Sequence, residues 1–125
     1  MKKLLGLLVL VVSLGACDDS SGPDDGDYYV LESIAGDAVP AVIDNGDVTV
    51  HGSTIILFDD GDAEFTLSYQ PLGASRTNVE LFGEWTATSA SEVVIDVEGD
   101  QLTATRSGNF LLLDDVNGTW RYERR

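Results

Sequence analysis

The sequence predicts an all-β domain, an antiparallel up-and-down β-barrel of roughly eight short strands, with a β-sandwich as the alternative. Three observations carry this. From residue 28 onward apolar side chains recur at every second position. Connectors rich in Asp, Asn and Gly separate these runs. Outside the N-terminal apolar run, no stretch has the apolar spacing of a helix.

The strands follow in order. Tyr29, Leu31 and Ser33 alternate with Tyr28, Val30 and Glu32, and Val48 and Val50 alternate with Thr49. Residues 55–58 form a continuous apolar run, as in a strand covered on both faces. Phe65, Leu67 and Tyr69 alternate with polar neighbours, and Val79 and Leu81 follow the same rule. Val93, Ile95 and Val97 form the next strand, then Leu102 and Ala104, then the apolar run 110–113, then Trp120 and Tyr122. Residues 59–62, 98–100, 107–109 and 114–118 are hairpin connectors, because Asp, Asn and Gly accept the positive φ that tight hairpins need. Residues 34–47 are the longest irregular connection and are expected to lie over one barrel end. A closed barrel leaves the fewest exposed strand edges, which favours it over the sandwich.

The N-terminus reads differently. Lys2 and Lys3 precede an apolar run over residues 4–14, broken only by Gly6 and Ser13. A bilayer-spanning helix needs about twenty apolar residues, so this run reads as an export leader. It ends in Leu14, Gly15, Ala16 and Cys17. These four residues resemble the lipobox of bacterial lipoproteins, in which a signal peptidase cuts before a lipid-modified cysteine. The resemblance implies a signal peptide over residues 1–16 and an acylated Cys17. It also implies a protein exported from the cytoplasm and anchored to a membrane of the cell envelope, with the outer membrane or cell surface favoured over the inner membrane. Asp18 and Asp19 after the cysteine resemble an inner-membrane retention signal of enterobacterial lipoproteins and equally a surface-export signal of Bacteroidetes-like ones, and both readings stay open. Cys17 is the only cysteine, so no intrachain disulfide can form. Residues 17–27 read as an acidic, flexible tether, since Pro23 is the only apolar side chain after the cysteine. Residues 28–125 are then one domain.

The formal charge is −15, and it becomes −17 once the leader is removed, because no acidic residue precedes Cys17. Such a surface repels phosphate backbones and argues against nucleic acid as a partner. It permits a basic envelope protein or a divalent cation, and it also simply favours solubility.

A second resemblance rests on short motifs. Tyr-x-Leu-x-Ser-Ile-x-Gly at 29–36, Pro40, Phe-Asp-Asp-Gly-Asp-Ala-Glu-Phe at 58–65, Gly-Glu-Trp at 83–85 and Gly-Thr-Trp-Arg-Tyr at 118–122 occur in that order. Together they resemble the small lipocalin-like domains of bacterial lipoproteins. In true lipocalins a Gly-x-Trp motif lies on the first strand, whereas here both examples lie later, so no ligand residue carries over.

Catalytic chemistry is poorly represented. His51 is the only histidine, in a strand pattern beside Gly52, and is expected to be hydrogen-bonded or on the surface. There is no Gly-x-Ser-x-Gly elbow, no zinc-type histidine cluster and no phosphate-binding glycine loop. No enzyme activity and no cofactor are therefore expected. Asp59, Asp60 and Asp62 suit Ca²⁺ by ligand type but miss the EF-hand pattern, and they also make a good turn. Asp114, Asp115 and Asn117 form a similar group. Tyr29, Tyr69, Trp85, Trp120 and Tyr122 are candidates to line a ligand cavity, or else are simply core. Arg106 and Arg121 lie in strands and are expected to point outward and pair with the acidic surface; an inward arginine would be a candidate anion-binding group.

The expected function is a non-catalytic, lipid-tethered barrel holding a small apolar or amphipathic ligand. The alternative is an envelope interaction or inhibitor module with a filled core. Inward positions decide between them: Phe65, Leu67, Tyr69, Val93, Ile95 and Val97 either pack together or line a void.

Overall fold

A computed structural model describes residues 26–125. Leu14, Gly15, Ala16, Cys17 and most of the acidic segment lie outside the described residues. The chain forms β1 (Gly26–Ile34), β2 (Asp37–Ala38), β3 (Ala41–Ile43), β4 (Val48–Phe58) and β5 (Asp62–Pro71). It continues with β6 (Thr77–Ala87), β7 (Glu92–Val97), β8 (Asp100–Ser107), β9 (Phe110–Asp115) and β10 (Gly118–Arg124). Strands β4 to β10 pair antiparallel with their sequence neighbours. Strand β1 pairs with β10 on one side and β4 on the other. The eight strands β1 and β4–β10 thus close an antiparallel barrel, and the sandwich is excluded.

Closure is incomplete at one end. There β1 and β4 diverge, and the 35–47 connection fills the gap: β2 adds to the end of β1 and β3 to the start of β4. This segment is more ordered than its composition suggests. It contains the cis Val39–Pro40 bond and a 3-10 turn at Asp44–Gly46. Ala41 is buried, and Val39 and Ile43 pack on the core.

Two β-bulges revise the alternation. In β1 Leu31 faces Tyr122 and Ser33 faces Arg121, so Glu32 is the extra residue. The inward residue after Leu31 is therefore Ile34 and not Ser33. In β4 Val50 faces Tyr69 and Gly52 faces Ser68, so His51 is extra and Ser53 turns inward. The apolar runs are not covered on both faces. Ile55, Leu57, Leu111 and Leu113 are buried inside, whereas Ile56, Phe58, Phe110 and Leu112 are half-buried on the outer face. Strand β1 also starts at Gly26, so the folded domain takes in two residues read as tether.

The interior is occupied by side chains. Tyr29, Leu31, Ile34, Val50, Ile55, Leu57, Val93, Ile95, Val97, Leu111, Leu113 and Tyr122 belong to one buried cluster. Phe65, Leu67, Leu81, Trp85, Leu102 and Trp120 pack against it. Tyr69 is half-buried and not part of it.

Candidate functional site

The aromatic side chains expected to line one cavity, together with Arg106, are placed at three levels of the barrel. Strand direction puts Trp85 and Arg106 at the end formed by the turns 59–61, 88–91 and 108–109, together with Gly26 and Arg125. Tyr122 is central. Trp120 and Tyr69 lie toward the opposite end, under the 35–47 segment.

At the first end Arg106 departs from its expected outward orientation. It faces Leu111, which is fully buried, so its strand position points inward. Its Cζ lies 5.5 Å from the centre of the Trp85 ring. Nε and Nη2 are buried without a hydrogen-bond partner. The Trp85 indole N–H is used, donating to the Phe58 carbonyl at 2.7 Å. A cation–π contact is worth about 0.5–2 kcal/mol, less than the several kcal/mol that burying an ion costs. Two of the three guanidinium nitrogens of Arg106 are therefore buried with their hydrogen-bonding capacity unmet. Tyr29 reports on the same region: burial and Asp27 push its hydroxyl above the usual range, while Arg106 and Arg124 pull it down. The other arginines have partners. Arg121 pairs with Glu32 at 2.9 Å and stacks on Phe110 as expected of an outward arginine, and Arg124 pairs with Asp27 at 3.3 Å. Arg125 pairs with Glu123 at 3.5 Å, and Arg76 donates to His51.

His51 is a hydrogen-bonded structural residue. Arg76 Nη2 donates to Nδ1 at 3.0 Å, so the ring proton sits on Nε2 and is donated to Gln70 Oε1 at 3.0 Å. At the barrel centre Ser53 Oγ donates to the Thr66 carbonyl at 2.6 Å, which leaves the Tyr122 hydroxyl to donate to Ser53 Oγ at 2.9 Å. The Trp120 indole nitrogen is buried without a partner.

The Asp-rich connectors act as turns. Asp60 accepts from the Asp62 amide at 3.0 Å, and Asp115 accepts from the Asn117 amide at 2.7 Å. Among the described residues no group of three acidic, histidine or cysteine side chains could hold a metal ion, and Asp59, Asp60 and Asp62 are no exception.

The outer face of β5–β7 is the feature the sequence does not display as a cluster. Cross-strand register brings Asp62 beside Glu84, Glu84 beside Asp96, and Glu64 beside Phe82. Glu80 and Glu98 extend the patch. A groove of about 630 Å³ runs here between Phe58, Glu64, Phe82, Glu84 and Asp96. Phe82 is 60% exposed at its centre. Burial, then the hydrogen bond and charge of Glu80, hold the Glu64 carboxyl above the ordinary range. A raised carboxyl stabilises the fold fully below the unfolded value near 4.3, and this contribution is lost as pH rises through the raised value. Glu64→Gln is therefore expected to stabilise the protein at pH 7 by about 0.2–1 kcal/mol, typical of relieving an exposed cross-strand repulsion, and to do nothing near pH 4. Thermal unfolding at both pH values checks this, and an equal effect at both would defeat it.

Compared with family models, curated proteins and solved structures, the chain matches none of them.

Proposed function

We propose that this protein is a non-catalytic, lipid-anchored module of the bacterial cell envelope that engages a basic protein partner through the outer face of β5–β7. The observation that carries this reading is Phe82, an exposed aromatic side chain ringed by Asp62, Glu64, Glu80, Glu84 and Asp96. Aromatic anchors within a charged rim give binding energy at the centre and long-range attraction at the edge. The filled-core reading is preferred to a hollow carrier because Phe65 and Leu67 pack on the cluster that holds Val93, Ile95 and Val97. Anchoring rests on the lipobox resemblance at Leu14, Gly15, Ala16 and Cys17.

Site-specific photo-cross-linking in intact cells tests the reading. A photoreactive residue at Phe82 should trap one dominant basic envelope protein in the membrane fraction. The adduct should disappear when Glu64, Glu84 and Asp96 are neutralised together. Cys17→Ser should move the protein to the soluble fraction. The same residue placed at exposed Thr105 of β8 is the control. Equal trapping at Thr105, or none at Phe82, would reject the acidic face as the contact surface.

A further inference from the structure

The two ends of the barrel are unlike. One is covered by the 35–47 segment, with Val39, Ala41 and Ile43 on the core. The other is bounded by tight turns and by Gly26 and Arg125. Arg106 lies at this second end, one residue before the Ser107–Phe110 turn.

Its guanidinium presents a specific unmet demand. Nε and Nη2 form the side-on fork that receives both oxygens of one carboxylate, and both are buried and unpartnered. Asp27, near the start of β1 at this end, is engaged by Arg124. Trp85 supplies a ring face but no acceptor, and its N–H is directed to Phe58. Leu111 and Tyr29 add apolar walls. The guanidinium is at the end of a flexible side chain, so the fork can turn without moving β8. A strongly acidic protein repels multiply charged anions more than singly charged ones.

We propose that Arg106 and Trp85 form a binding site for a monocarboxylate with a small apolar body, the carboxylate on the Arg106 fork and the body against the Trp85 ring. The site is independent of the acidic face of β5–β7.

The test is nuclear magnetic resonance of arginine Nε–H groups in the full chain, held in detergent micelles and titrated with benzoate, acetate and sulfate. Arg106 is assigned by the signal lost in Arg106→Lys. The expected result is a saturable shift of the Arg106 signal with benzoate, weaker with acetate and absent with sulfate. Trp85→Leu should weaken benzoate by about tenfold, an amount measurable as a shifted midpoint. No response to benzoate, or an equal response to sulfate, overturns it. The wild-type titration decides even where a substitution prevents folding.

Discussion

Tyr122→Ala is expected to cost about 3–5 kcal/mol of folding stability, the range for deleting a buried aromatic side chain. Tyr122 is 1% exposed and sits at the centre of the barrel, with Leu31 and Leu111 beside it in register. Its ring fills the middle of the core, and its hydroxyl serves the only buried polar side chain among the core residues, Ser53. Domains of this size have about 5–15 kcal/mol in total, so the variant would stand close to unfolding. Tyr122→Phe separates the two contributions. It keeps the ring and removes one hydrogen bond, for an expected loss of about 1 kcal/mol. Burial raises the hydroxyl pKa far above the usual range, with Asp115 adding to this and the Ser53 hydrogen bond opposing it. An unfolded tyrosine ionises near pH 10, so stability from this group is complete below that pH and falls above it. Urea unfolding followed by tryptophan fluorescence at pH 7 and pH 11 gives both numbers. A Tyr122→Ala variant as stable as Tyr122→Phe would mean that the barrel centre is not packed as described.

The strand alternation made most of this barrel legible. Val93, Ile95 and Val97, or Phe65 and Leu67, announce an inward face because one side of a strand meets the core and the other meets water. The bulges at Glu32 and His51 broke the reading locally. A single extra residue reverses the face of everything after it, and nothing around Glu32 marks the site; Gly52 beside His51 is the one available signal. The short β2 and β3 escaped because their order comes from the gap between β1 and β4, which is a tertiary feature. The candidate site was less legible than the fold. The sequence offered Tyr69, Trp85, Trp120 and Tyr122 as cavity candidates without their height in the barrel, and it put Arg106 on the outer face. Height depends on strand direction and register, and these put Trp85 with Arg106 and send Trp120 to the far end. The carboxylates around Phe82 are spread over three strands, so only cross-strand pairing gathers them.

Gly83→Ala should be the most damaging one-atom addition to the sheet. Gly83 lies between Ala63 of β5 and Val97 of β7. A Cβ placed on it would collide with the Asp96 carbonyl oxygen and lie 2.8 Å from the Val97 Cα. Both are backbone atoms of the paired strand, so no flexible side chain can give way. The methyl group can be accommodated only by separating β6 from β7, which would disturb the neighbouring pairs Glu84–Asp96 and Trp85–Ile95. Overpacking typically costs about 1–3 kcal/mol and more where the backbone itself must move, so a loss of about 3 kcal/mol or greater is expected. Gly52→Ala is the matched control in another strand, since nothing lies within 4 Å of the added Cβ. It should change stability by less than about 1 kcal/mol, and it can be stabilising through the unfolded chain. Thermal unfolding of both variants checks the contrast, and a Gly83→Ala variant with a wild-type midpoint would refute the close approach of β6 to β7. That approach also matters for the outer surface. Phe82 and Glu84 flank Gly83 and face outward because it faces inward, so the tight contact that excludes a methyl group fixes the aromatic anchor and its acidic rim in one rigid strand segment.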